Sequence, residues 1–354
     1  MNLKNIINLL PCDIDGVFIS SAENRLYFTN FSSSAGYLLA TKNGCVFLTD
    51  SRYIEAARNT VKGCDVVELK KLSEQLPDLC QKLNCKCLAI ESKRMTLSEF
   101  KKLKKLLAGV KILDSDIVEE MINGLRMIKN KKETEKIKTA QAIAEKAFYH
   151  ILNFIKIGVT EKEVSLELDF FMLKNGAHGL SFDTIVVSGK NSSMPHGVAS
   201  DKKIEKGDFI TMDFGAVFEG YHSDMTRTVA IGSVNDKQLD VYQTVLNAQL
   251  SSLELIRSGI LCAQADAAAR DFIEKAGYGR FFRHSMGHGI GIEIHEQPSL
   301  SPSYAGTLKE GNVVTVEPGI YLPGEFGVRI EDMVIVKKNG CENLTHCKKE
   351  LIIL

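Results

Sequence analysis

Residues 211–225 read TMDFGAVFEGYHSDM, and this stretch decides the fold. Thr211 to Phe218 has the apolar run of a buried strand, and Tyr221 to Ile231 has that of a second. Glu219-Gly220 can form the two-residue turn between them. In that register Asp213 lies opposite Thr226 and Asp224 opposite Gly215. The two aspartates then become diagonal neighbours on one face of the sheet. A three-residue turn would put them on opposite faces unless a bulge intervened. Burying one unpaired carboxylate costs several kcal/mol, and two on one face also repel. Something positive must therefore meet them, either a cationic side chain, with Arg227 close by in sequence, or a metal ion.

The pattern recurs further along the chain. Gly207 to Gly215 (GDFITMDFG) resembles Gly311 to Gly319 (GNVVTVEPG), with the acid at the same step, Asp213 or Glu317. Ser223-Asp224-Met225 is echoed by Glu331-Asp332-Met333, and Ile155-Lys156-Ile157-Gly158 by Ile256-Arg257-Ser258-Gly259. Gly158 and Gly176 stand as far apart as Gly259 and Gly277. A helix is predicted before each strand set. In the first half Ile137, Ala140, Ala144, Phe148 and Ile151 form one stripe, and Thr160-Glu161-Lys162-Glu163 is a capping box. Residues from about 130 onward thus read as two related halves packed around a pseudo-two-fold axis, with four carboxylates converging at its centre. Between the carboxylate motifs of the two halves, residues 284–295 (HSMGHGIGIEIH) hold three of the chain's 8 histidines. Four carboxylates and an imidazole suit Mn(II), Co(II), Fe(II) or Zn(II). Five ligands exceed one tetrahedral zinc and suit two ions about 4 Å apart.

Ahead of these halves, short β-like runs alternate with helical ones. Asn43-Gly44 marks a hairpin, Cys87 to Ile90 a buried strand and Thr96 to Leu107 a helix. The basic segment from Arg126 to Lys132 reads as a solvated linker. A chain of 354 residues favours two domains, placed at 1–125 and 126–354. Lys plus Arg and Asp plus Glu both total 44, a balance that argues against a nucleic-acid or anionic-membrane surface. No apolar run spans a bilayer, and the first residues lack a signal-peptide cleavage site. The 9 cysteines include no CxxC pair, which fits reduced thiols in a cytoplasmic protein. Cys85 and Cys87 are read as buried residues rather than as a soft-metal pair.

Taken together, Met194-Pro195-His196-Gly197, Asp213-Phe214-Gly215, Ser223-Asp224-Met225-Thr226-Arg227-Thr228, Gly287-His288-Gly289-Ile290-Gly291, Glu317-Pro318-Gly319-Ile320-Tyr321 and Arg329-Ile330-Glu331-Asp332 resemble the creatinase, prolidase and aminopeptidase P group of M24 metallopeptidases. In the first domain the resemblance includes Asn24 to Phe31 and Thr49 to Tyr53. It implies an α+β chain, with a small N-terminal α/β creatinase-like domain followed by a duplicated pita-bread catalytic domain. It assigns two divalent ions, Mn(II) first and Co(II), Zn(II) or Fe(II) as alternatives, to Asp213, Asp224, His288, Glu317 and Glu331. It also assigns substrate-facing roles to His196, His284, His295, Tyr321 and Arg329. The implied activity is cleavage between an N-terminal residue and a penultimate proline. Glu317 would relay a proton, His295 would stabilise the oxyanion, and His196 and His284 would shape the proline side. Many prolidases of the group place an Arg shortly after the histidine matching His295. Here His295-Glu296-Gln297-Pro298-Ser299 has none, which favours a Xaa-Pro aminopeptidase, with a Xaa-Pro dipeptidase as the alternative and a non-catalytic binding module behind both. The resemblance further implies a homodimer acting on proline-containing peptides, with no nucleic-acid or membrane partner.

Overall fold

The computed structural model describes residues 2–354. Contacts divide the chain into two compact units, residues 1–126 and 127–354. The first unit is built on a six-stranded mixed sheet. The hairpin turning at Lys42-Asn43 joins Tyr37–Thr41 to Gly44–Thr49, as the Asn-Gly signal predicts. Gly16–Ile19 pairs in parallel with the fully buried Cys87–Ile90. Thr96 caps the helix Leu97–Leu106 through a reciprocal bond pair with Glu99. Cys85 and Cys87 are buried free thiols.

The second unit repeats itself. Helices Lys131–Phe154 and Glu161–Lys174 open its first half, and Asp236–Leu255 and Cys262–Lys275 open its second. In both halves a positive-φ glycine precedes the second helix and another follows it: Gly158 (92°), Gly176 (102°), Gly259 (91°) and Gly277 (85°). Each half buries its own core. Phe148, Met172, Met212 and Val229 belong to one, and Val245, Ile273, Val314 and Val334 to the other. The stripe of Ile137, Ala140, Ala144, Phe148 and Ile151 is wholly buried.

Strand register is what aims the acids. Thr226 pairs with Asp213, and the ladder continues through Val217 with His222 and Phe218 with Tyr221. The turn is therefore the two-residue Glu219-Gly220, with φ of 46° and 79°, the left-handed pair of a type I′ turn. The ladder is interrupted around Gly215, where an added Cβ would lie 1.9 Å from the Ser223 carbonyl oxygen. In the second half Val316 pairs with Asp332 and Gly319 with Arg329, so Glu317 and Glu331 fall opposite each other between the two ladders.

The basic segment is not a solvated linker. Arg126 and Lys129 are buried, at 4% and 7% exposure. Each finds a fixed acceptor: Arg126 donates to Asn24 Oδ1 at 2.8 Å, and Lys129 Nζ lies 3.0 Å from Glu296 Oε2. Of its cations only Lys131 and Lys132 stand out in solvent, at the start of a helix capped by Asn130. Among the described residues, no helix is long and apolar enough to cross a membrane.

Candidate metal centre

The ten residues singled out in the sequence come together around one cavity of about 260 Å³. Asp213, His196, His284, His288, His295, Glu317, Tyr321 and Arg329 line it. Asp224 and Glu331 are buried, at 4% and 1% exposure. Asp224, His288 and Glu331 each offer a donor atom, and these atoms lie within 4.8 Å of one another. His288 Nε2 is 3.4 Å from Glu317 Oε1 and 3.6 Å from Asp224 Oδ2.

The protons of this cluster do not balance within the protein. Asp213 Oδ1 and Asp224 Oδ1 are buried with no hydrogen-bond partner, a costly state for a carboxylate. Burial, followed by repulsion from the other acids, drives the Asp224 and Glu331 carboxyls well above the ordinary range. Burial lifts Glu317 to about 8, opposed by Arg329 and reinforced by Asp213. Burial lowers His288 to about 4, with His295 as the next cause. Its Nδ1 is 3.0 Å from the Gly289 carbonyl oxygen, so Nδ1 carries the proton and the Nε2 lone pair faces the acids. Orphaned carboxylate oxygens beside a neutral imidazole fit divalent cations.

Two threonines hold individual acids. Thr226 Oγ1 donates to Glu331 Oε2 at 2.7 Å, and Thr315 Oγ1 to Glu317 Oε1 at 3.1 Å. Arg227, the cation next in sequence, turns away. It pairs with buried Asp332 at 2.8 Å and donates to the Cys347 and Lys348 carbonyls of the C-terminal tail. The cation that does meet Asp213 is Arg329, with Nη2 2.6 Å from Oδ2. Arg329 Nη1 also donates to the Tyr321 hydroxyl at 2.9 Å, and that hydroxyl lies 2.9 Å from His284 Nε2. With His284 Nδ1 bonded to the Ser285 carbonyl, Tyr321 must donate to Nε2. Burial, and then Arg329, lower His284 to about 4, so it stays neutral.

Residues 135–338 match the model of Metallopeptidase family M24, and residues 12–128 match that of the Creatinase/Prolidase N-terminal domain. The chain belongs to metallopeptidase family M24. This M24 peptidase is 39% identical to the Xaa-Pro dipeptidase of Pyrococcus horikoshii, over 99% of the chain and 98% of that protein. Among solved structures it resembles a Xaa-Pro dipeptidase from Bacillus anthracis, with TM-score 0.94, 44% identity and coverage of 99% and 98%. It also resembles an X-Pro aminopeptidase from Thermotoga maritima, with TM-score 0.93, 38% identity and both chains covered completely. The fold is thus the creatinase-type N-terminal domain with a pita-bread catalytic domain, and membership implies divalent metal ions.

Sequence reasoning missed the supports behind the histidines of this peptidase. Fully buried Glu161 accepts from Ser188 and Ser200, on either side of the loop carrying His196. Asp266 accepts from Met286 N, and its partner Arg270 donates to the His284 carbonyl. Glu161 was visible only as a member of a capping box. Nothing local marks it as an anchor, because its partners lie 27 and 39 positions away.

Proposed function

We propose that this M24 metallopeptidase is a Xaa-Pro dipeptidase. The observation that carries the peptidase reading is the pair of orphaned carboxylate oxygens, on Asp213 and Asp224, at a cavity ringed by His196, His284 and His295. The preference for dipeptides, over the aminopeptidase favoured from sequence, is supported by similarity over nearly the whole chain to the Xaa-Pro dipeptidases of Pyrococcus horikoshii and Bacillus anthracis. Cavity size supports it too. About 260 Å³ falls below the range usual for drug-sized ligands and suits a short peptide.

In this reading Asp213, Asp224, His288, Glu317 and Glu331 hold two divalent ions, which would supply the nucleophile by lowering the pKa of water. Glu317 takes the proton released during attack. His295 donates a hydrogen bond to the oxyanion that forms on the scissile carbonyl. Arg329 and Tyr321 fix Asp213 and His284, and His284 with His196 forms the wall for the proline ring. That ring offers no N–H, so shape rather than a hydrogen bond selects it.

A second reading, Xaa-Pro aminopeptidase, is favoured by one specific feature. Ser299 lines the cavity where a carboxylate clamp would need a cation, and Arg329 is already committed to Thr226, Pro195, Tyr321 and Asp213. Hydrolysis of Xaa-Pro against Xaa-Pro-Yaa, with Mn(II) supplied, separates the two. The dipeptidase reading expects kcat/KM at least about tenfold higher for the dipeptide; a preference for the tripeptide overturns it.

A further inference from the structure

We propose that Lys129 is a positioning residue for His295, acting through the buried carboxylate of Glu296. The inference rests on the role given to His295 in the proposed function. Lys129 Nζ and Glu296 Oε2 are 3.0 Å apart, with side chains only 2% and 5% exposed. Glu296 is the residue immediately after His295, and its other oxygen accepts from Glu293 N at 3.0 Å. The carboxylate sits inside the turn that delivers His295. A Cβ at Gly291 would come within 2.7 Å of Glu296 Oε2, so the turn closes around that group only because position 291 has no side chain.

The other end of the pair is fixed to the frame of the site. Lys129 N donates to the Gly311 carbonyl at 2.9 Å, and Asn312 Nδ2 donates to the Met127 carbonyl at 2.9 Å. Those residues lead directly into the strand Val313–Val316, which ends beside Glu317. Ile290 N bonds to Val313 on the same strand at 3.1 Å, so both ends of the turn refer to one rigid element. The His295 ring itself makes no hydrogen bond among the described residues. It rests edge-on against His288, ring centres 4.4 Å apart. Its placement is therefore inherited from the turn, and the turn from the ion pair. Removing one partner of such a buried pair leaves the other's charge uncompensated in a low-dielectric interior, which displaces the group it had fixed.

A double-mutant cycle tests this on the metal-loaded full chain, comparing wild type, Lys129→Met, His295→Ala and the double variant on a Xaa-Pro dipeptide. Lys129→Met is expected to lower kcat roughly 10- to 100-fold, the scale of a misplaced catalytic group, and to leave KM within about threefold. In the His295→Ala background it should cost less than about twofold. Equal losses in both backgrounds, or a loss confined to KM, would overturn the proposal. The His295 ring resonance of the metal-free protein, followed by 1H–13C NMR, must also move in Lys129→Met; an unmoved resonance sinks the idea. Should Lys129→Met not fold, Lys129→Met/Glu296→Gln, which removes both charges together, carries the same cycle. If wild type cleaves no Xaa-Pro peptide, the functional reading falls, and the resonance still judges the positioning claim.

Discussion

Arg329 and Asp213 meet at 2.6 Å, joining the strand Phe326–Arg329 of the second half of the catalytic unit to the strand Phe209–Phe214 of the first. Burial opposes the charge on Arg329, yet Tyr321, Asp213 and Glu317 together push its pKa above the ordinary guanidinium value. It is the cation facing a cluster of four acids.

Removing it should therefore harm the metal-free protein most. Arg329→Met leaves Asp213 without its partner and the acids unopposed. Metal-free stability should fall by about 3–5 kcal/mol, as for other broken buried pairs. Mn(II) should recover a large part of that loss. Urea unfolding with and without metal measures both numbers, and a metal-free protein of unchanged stability would refute the account.

The same cluster gives the metal-free protein an unusual pH response. Glu317 rises from 4.5 to about 8, so the folded state keeps a proton that the unfolded chain has already released. Its contribution to stability is complete below about 4.5 and is lost as pH climbs to about 8. His284 and His288, lowered from 6.5 to about 4, work in the opposite sense, but only below 6.5. From pH 6.5 to 8 the acids act alone, and stability should drop by about 2 kcal/mol per raised carboxyl. Saturating Mn(II) should abolish the slope and release about one proton or more per chain at pH 7, measurable by calorimetry in buffers of different ionisation enthalpy.

Asp224→Asn separates stability from activity. The amide can donate to neighbouring carboxylates and, unlike the acid, cannot ionise as pH rises, so the metal-free protein should gain about 1–2 kcal/mol in alkaline buffer. Mn(II)-supported hydrolysis should fall roughly 1000-fold or more, because a ligand is gone. Retained hydrolysis would remove the two-metal reading.

Ser299 offers a handle on substrate length. It sits on the strand Glu296–Leu300, paired with His288, and lines the cavity. Ser299→Arg should lower KM for a Xaa-Pro dipeptide about tenfold by meeting its carboxylate, and leave a C-terminally amidated substrate unimproved. Equal effects on both substrates would show that the wall near Ser299 does not face the carboxylate.

Asp332 is an acid of another kind. It lies next to Glu331, yet Arg227, Lys349, Gln249 and Asn343 surround it. Burial opposes its ionisation, but the two cations overcome that and hold its pKa below the usual range. Asp332→Ala should cost about 3–5 kcal/mol of stability whether or not metal is present. Unfolding midpoints at saturating Mn(II) check the distinction from Arg329→Met.

What the sequence determined by itself is whatever depends on short-range rules. Strand alternation and the Glu219-Gly220 turn set the pairing of Asp213 with Thr226. The glycine-to-glycine spacing revealed the duplication, and the motif order carried the family. Partnerships of charge were decided only by tertiary structure. Arg227 is near both aspartates in sequence and serves Asp332, whereas Arg329, 116 positions from Asp213, neutralises it. Lys129 looked like one cation in a solvated run and proved buried against Glu296, 167 positions away. Hydrophobic periodicity reports which face of an element is buried. It does not report which distant element supplies the countercharge, because that depends on how the two halves of the catalytic unit pack against each other.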